Sequence, residues 1–142
     1  MILILFYQFK YGILVIKIIL IFNFLLLTIA GAERYRAITT SHIRNADGAF
    51  LVYDITSSSS FESLDFWQDC IKKATNDDIV LHLIGNKCDL KNRAVPKDKA
   101  QFYANRNNFS GFSECSAKDN IRIKETFESF YRSKNNKINR TF

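Results

Sequence analysis

An α/β fold of three layers, with helices on both faces of a mostly parallel sheet, is what the sequence predicts, and three observations carry it. Residues Ile79 to Ile84 form a near-continuous apolar run of strand length, interrupted only by His82, as expected of a parallel strand covered on both faces. Strand-like and helix-like segments alternate from Ala46 onward, the pattern of βαβ units. Phe61, Leu64, Trp67, Ile71 and Ala74 recur at three- or four-residue spacing, an apolar stripe for a helix lying on a sheet. The length, 142 residues, allows one domain with a sizeable core.

Three parts follow from composition: an apolar segment over 1–29, a domain over 30–132 and a polar tail over 133–142. The first part is almost entirely Ile, Leu, Phe and Tyr, broken by Gln8, Lys10, Lys17 and Asn23. Four readings of it stay open, in order of preference. The first is a mis-assigned exon start or truncated variant, since its residues are largely those of A/T-rich codons. The second is a membrane span over 11–30, which has the roughly twenty residues a bilayer-crossing helix needs. Lys17 would cost such a span about 2.5–3.5 kcal/mol, which the surrounding Ile, Leu and Phe can offset. The third is buried strands of the domain. The last is a signal peptide ending at Ala30-Gly31-Ala32, against which stands the lack of a positive side chain over 1–9.

From Ala46 the elements follow in order. Gly48 to Asp54 reads as a buried strand, and Asp54 to Ser60 as a Ser-rich turn. Ser59 and Glu62 fit a capping box that starts the next helix. Trp67 and Phe61 belong to that helix's core stripe, not to a ligand box. After the Ile79–Ile84 strand, Gly85 is expected to let the backbone turn tightly. His82, inside this strand, is expected to be structural, with no partner placed for metal binding. Pro96 suits the first turn of a helix, where its missing N–H costs nothing. That helix runs to about Asn107 with Ala100, Tyr103 and Ala104 inward. Asn107, Asn108 and Gly111 make the exit, Phe112 to Cys115 the last strand, and Ile123, Phe127 and Phe130 the inward face of the last helix. The tail from Ser133 is expected to be disordered.

Net charge is +6, but acidic residues are well mixed in after Ala32. There is no Arg-rich stripe and no basic cluster interleaved with aromatics, which argues against nucleic-acid binding. Cys70, Cys88 and Cys115 are odd in number and lack CxxC spacing, so they read as reduced thiols with no zinc site.

The chemistry concentrates just past the Ile79–Ile84 strand, where open α/β sheets bind ligands. Asn86, Lys87 and Asp89 stand there. A guanine edge offers two adjacent N–H donors, and one carboxylate, Asp89, can accept from both. Adenine lacks that pair and would leave the carboxylate unsatisfied. Asn86 carries an acceptor and donors for the base edge or the neighbouring loop. Lys87 can lay its methylene stem along a ring face with its ammonium in water. About thirty residues on, a second short strand leads into Glu114-Cys115-Ser116-Ala117-Lys118.

Together Asn-Lys-x-Asp and Glu-x-Ser-Ala-Lys resemble the guanine-holding motifs of the Ras superfamily of small GTPases. Thr28 to Glu33, TIAGAE, aligns with that family's DTAGQE. Arg34 to Thr39 and Arg93-Ala94-Val95-Pro96 resemble its Rab branch, nearest the recycling-endosome Rabs, over roughly three quarters of the chain. The resemblance implies the G-domain form of the P-loop NTPase fold, incomplete at its N-terminus. It also implies guanine binding by Asn86, Lys87, Asp89, Ser116, Ala117 and Lys118. Ala117 would offer its N–H to the guanine oxygen, Lys118 would pack near the base and Ser116 would brace Asp89. GTP or GDP with Mg2+ would be the ligands, vesicle traffic the process, and Rab-type effectors or regulators the partners, in the cytosol or on the cytoplasmic side of endomembranes.

The departures bear on catalysis. Thr28 stands at the metal-side aspartate and Ala32 at the glutamine that orients the attacking water in Ras-type enzymes. Ala32 has no polar side-chain group to do so. Gly31, whose counterpart's amide meets the terminal phosphate, is retained as a phosphate-side remnant, or is a flexible turn. No G-x-x-x-x-G-K-[ST] occurs, the pattern whose amides and lysine cradle phosphates and whose hydroxyl meets Mg2+. The usual prenylation cysteines are not found in the tail. The base-reading half is thus expected without the phosphate-holding half, so neither catalytic residues nor metal ligands are assigned. Binding is expected to be weak, on the order of millimolar. The alternative is a non-enzymatic remnant, membrane-anchored by its N-terminus, that acts by binding a partner.

Overall fold

The computed structural model describes residues 2–7, 27–29, 48–75 and 79–138. Five strands make one sheet: β1 Ile2–Tyr7, β2 Leu27–Ile29, β3 Gly48–Asp54, β4 Val80–Asn86 and β5 Gly111–Glu114, in the order β2-β1-β3-β4-β5. Four helices accompany it: α1 Ser58–Glu62, α2 Leu64–Thr75, α3 Lys97–Arg106 and α4 Ile123–Ile138. The parallel part is β3-β4-β5, with Gly48 opposite Val80 and Asp54 opposite Asn86, and His82 opposite Gly111. This is the βαβ architecture expected from Ala46 onward.

β1 joins β3 antiparallel, Tyr7 opposite Gly48 and Leu3 opposite Val52, and β2 joins β1 antiparallel. The sheet is therefore parallel in its β3–β5 part and antiparallel at the β2-β1 edge. Over 2–7 and 27–29 the backbone is that of sheet strands. The span proposed over 11–30 falls otherwise outside the described residues. Among the described residues no helix is long and apolar enough to cross a membrane.

Two apolar layers sandwich the parallel strands because their side chains alternate across the sheet. On one face Ala49, Leu51 and Tyr53 of β3 and Leu81 and Leu83 of β4 meet Phe61, Leu64, Trp67, Ile71, Ala100 and Ala104 from α1, α2 and α3. The stripe read from spacing is this face. On the other, Phe50, Val52, Val80, Ile84 and Cys115 pack with Phe130, with Ile123 and Phe127 at the margin. Phe50 and Phe130 are 4.3 Å apart between ring centroids. Burying a Phe of this kind is worth about 3–5 kcal/mol by truncation.

Local chemistry moves several expected boundaries. The helix cap is Ser57, whose Oγ accepts from Ser60 N–H, and not Ser59. Ser60 is itself buried, with Oγ donating to Ser57 O and accepting from Asp54 N–H, so it closes the turn. Ser63 interrupts the helix between α1 and α2, its Oγ donating back to Ser59 O, a bond that bends helices. Pro96 is the cap before α3 and Lys97 its first residue. Where disorder is expected from Ser133, α4 continues to Ile138; no Gly or Pro follows Phe130 to stop it.

Gly85 does not turn the chain. It is a strand residue opposite Tyr53 on one side and Glu114 on the other. A Cβ there would lie 2.9 Å from Tyr53 Oη and 3.0 Å from Ile55 Cγ2, so the glycine serves a close approach between strands. The turn comes two residues later, at Lys87, whose φ is 68°.

Candidate functional site

β4 and β5 deliver two loops to one end of the parallel sheet. The first starts at Lys87. Its left-handed backbone is uncommon for a non-glycine residue and reverses the chain, so that Leu90 N–H donates to Lys87 O at 3.0 Å. The second follows Glu114, and an antiparallel bridge between Ser116 and Ile121 closes it. The loops are joined directly. Cys88 N–H donates to Cys115 O at 3.0 Å, and Cys115 N–H donates to Gly85 O at 2.9 Å. Asn86 Oδ1 accepts from Ala117 N–H at 3.1 Å.

Asp89 faces the same turn. The adjacent Ser116 hydroxyl, outweighing burial, holds its carboxyl below the usual carboxylate range with help from the nearby Lys118 and Lys87 charges. Its Oδ1 is buried without a hydrogen-bond partner among the described residues. A carboxylate oxygen withdrawn from water and left unpaired is costly, so a donor supplied from outside would be held well there. Ser116 is fully buried, and its Oγ also accepts from Asp119 N–H at 3.1 Å. Ala117 and Lys118 are exposed at the rim.

Asn86, Lys87, Asp89, Ser116, Ala117 and Lys118 therefore converge, as their motifs suggested. Two features differ from the expectation. The Ala117 N–H meant for a base oxygen is taken by Asn86. The Lys87 ammonium is not free in water but pairs with Asp54 Oδ2 at 2.5 Å. Gly31 and Ala32 lie outside the described residues, and Thr28 is known only as a β2 residue opposite Leu3.

Sequence reasoning assigned no role to Arg93, Glu114 or Asp54. Arg93 Nη1 and Nη2 donate to Glu114 Oε1 and Oε2 at 2.6 and 3.0 Å, a bidentate pair, and Nη1 also reaches Val95 O. The Glu114 side chain is 5% exposed. This pair ties the first loop to the strand that feeds the second. Ala94 and Val95 N–H both donate to Ile55 O, at 2.8 and 3.0 Å, and anchor the same loop to the end of β3. The signal for Arg93 was its place in Arg-Ala-Val-Pro, but spacing says nothing of a partner twenty-one residues on.

Among the described residues no three His, Cys, Asp or Glu side chains converge as a metal group would require. Of the carboxylates at this end, Asp54 holds Lys87 and Glu114 holds Arg93. None of the three cysteines is in a disulfide, and burial pushes the Cys115 thiol up to about 11, which keeps it protonated and unreactive.

A parallel sheet with two polar loops at its carboxyl end, one ending in a carboxylate with a vacant acceptor, is the frame of a nucleotide-binding α/β protein. The Ras family model matches residues 21–136, and the chain belongs to that family. Its relatives are Rab proteins. It is 43% identical over 113 residues to the Ras-related protein rab-11.1 of Caenorhabditis elegans, covering 76% of this chain and 53% of that protein. It is 45% identical over 100 residues to the human Ras-related protein Rab-3B, covering 70% and 45%. To the GTP-binding protein ypt3 of Schizosaccharomyces pombe it is 46% identical over 101 residues, covering 70% and 47%. The chain spans about half the length of the curated relatives it matches.

Proposed function

We propose that this chain is a Rab-type G domain that recognises guanine through the two loops at the carboxyl end of β4 and β5. The observation that carries the reading is the buried, unpartnered Oδ1 of Asp89 beside the Ser116–Lys118 turn. Guanine N1–H and N2–H would satisfy that carboxylate as a pair. The base oxygen would share the Ala117 N–H with Asn86 in a three-centre bond or displace it. The Lys87 stem, held at its far end by Asp54, would lie along one face of the base, and Lys118 along the rim. GTP or GDP is the ligand class, the cytosol or the cytoplasmic side of endomembranes the location, and Rab-type effectors or regulators the partners.

Hydrolysis is not assigned to the chain as it stands. By the resemblance, Thr28 and Ala32 would stand where the family has its metal-side carboxylate and its water-orienting amide. Base contacts of about 0.5–3 kcal/mol each, set against the cost of association, support a Kd on the order of millimolar. The same two substitutions favour a second reading, a non-hydrolysing member that acts by binding a partner. The test of guanine recognition is a titration of the purified chain with GMP and AMP, followed through the Ala117 and Lys118 amide NMR signals. GMP should shift both and AMP neither, and Asp89→Ala should weaken GMP at least tenfold. Equal response to the two nucleotides, or binding indifferent to Asp89→Ala, overturns the reading.

A further inference from the structure

Asp54 ends β3 directly opposite Asn86 in the parallel register, so its side chain emerges beside the last residue of β4, which leads into the base-reading loop. Every acceptor position on it is directed. Oδ1 accepts from Thr56 N–H at 2.8 Å and from Thr56 Oγ1 at 2.7 Å. Oδ2 takes the Lys87 ammonium. The Thr56 bonds fix the carboxylate so that its second oxygen points at the loop. The Asp54 side chain is 15% exposed and that of Lys87 47%, so the pair is anchored from the Asp54 side and is not a freely exposed ion pair of negligible weight.

Lys87 needs that anchor. It sits at φ 68°, in the left-handed region that an L-residue disfavours. Its neighbours on both sides hold the hydrogen bonds that join the two loops: Asn86 Oδ1 to Ala117 N–H, and Cys88 N–H to Cys115 O. If Lys87 relaxed toward an ordinary backbone, both bonds and the direction of Asp89 would change together.

We propose that Asp54 is a positioning residue for the guanine-binding loop, acting through the Lys87 ammonium to hold the left-handed turn between Asn86 and Cys88. The ligand half of this inference rests on the guanine reading above, and the loop half does not. Asp54 touches no base. It sets the angle at which Asn86 and Asp89 are presented, and it draws the Lys87 stem across the site with its charge already paired.

The experiment is a double-mutant cycle with Asp54→Asn, Lys87→Met and both together. Asparagine keeps the shape and an acceptor for Thr56 but loses the charge. GMP affinity should fall three- to tenfold in each single variant, and no further in the double. Amide hydrogen exchange without ligand gives a second readout. Cys88 and Ala117 should exchange several-fold faster in Asp54→Asn, beyond any change at the β3 amides that report global stability. Losses that multiply in the double variant, or unchanged GMP affinity in Asp54→Asn, overturn the proposal. So does exchange that rises equally everywhere. If wild type binds GMP and AMP alike, the guanine reading fails, and the loop role of Asp54 is decided by the exchange rates alone.

Discussion

His82 makes the stability of this fold sensitive to mild acid. It lies in the middle of β4, fully buried, with Nε2 in a 3.0 Å hydrogen bond with Ser113 Oγ and Nδ1 without a partner among the described residues. The rings of Phe50 and Phe130 stand at 5.8 and 6.1 Å from its own, and Gly111 closes the space at Nδ1 and Cε1. Burial pushes its pKa down from 6.5 to about 4. Above pH 6.5 the ring is neutral in both folded and unfolded chains and contributes no pH dependence. Between 6.5 and 4 the unfolded chain takes up a proton that the folded chain refuses, so stability falls as pH falls. A gap of about 2.5 units at 1.36 kcal/mol each gives a loss of about 3 kcal/mol by pH 4. Below that the folded ring protonates too, and this group adds nothing more. Asp54 and Asp89, whose pKa values are lowered, lose their contribution at more acid pH, below the ordinary carboxylate range. The assay is urea unfolding at pH 7.5, 6.5, 5.5 and 4.5 for wild type and His82→Met, a swap of similar length that does not titrate. All other groups cancel in the difference between the two proteins. That difference should shift by about 2.5 kcal/mol toward the methionine variant between pH 7.5 and 4.5. A shift below about 1 kcal/mol would mean that the charged ring finds solvent or a partner, and the burial argument would be wrong.

Three further outcomes are expected. Gly111→Ala should cost about 1–3 kcal/mol by overpacking, because its Cβ would lie 2.7 Å from His82 Cε1, and a smaller residue at 82 should recover part of the loss; the urea midpoint checks both. Arg93→Met should cost about 2–4 kcal/mol, toward the lower figure since the Arg93 side chain is 32% exposed, because it strands the Glu114 carboxylate; unfolding midpoints and weakened GMP binding would show it. Ser116→Ala removes the hydroxyl that holds Asp89 ionised and caps Asp119 N–H, so the Asp89 carboxyl should titrate at higher pH by NMR, and an unmoved titration would remove Ser116 from the site.

How much of this was legible beforehand depends on the range of the interaction. The stripe from Phe61 to Ala74 was readable because helical spacing alone decides which residues share a face. Asn86 and Asp89 meet Ser116 and Ala117 because adjacent parallel strands end at the same edge, Gly85 opposite Glu114. The role of Gly85 was misread, since glycine serves turns and close approaches alike and only the position of Tyr53 decides between them. The antiparallel entry of β1 was not legible either, since an apolar run carries no sign of its direction.

Composition, periodicity and two short polar motifs were enough to determine the layered α/β class, the core faces and which side chains gather at the mouth of the sheet. All of these follow from local chain geometry repeated along the sequence. What the tertiary structure alone decided is who holds whom: Lys87 by Asp54, Glu114 by Arg93, Asp89 by Ser116, His82 by the aromatic rings of its neighbours. Such pairings depend on distance and desolvation between residues far apart in the chain. Neither quantity is written in the order of the amino acids until the sheet has brought them together.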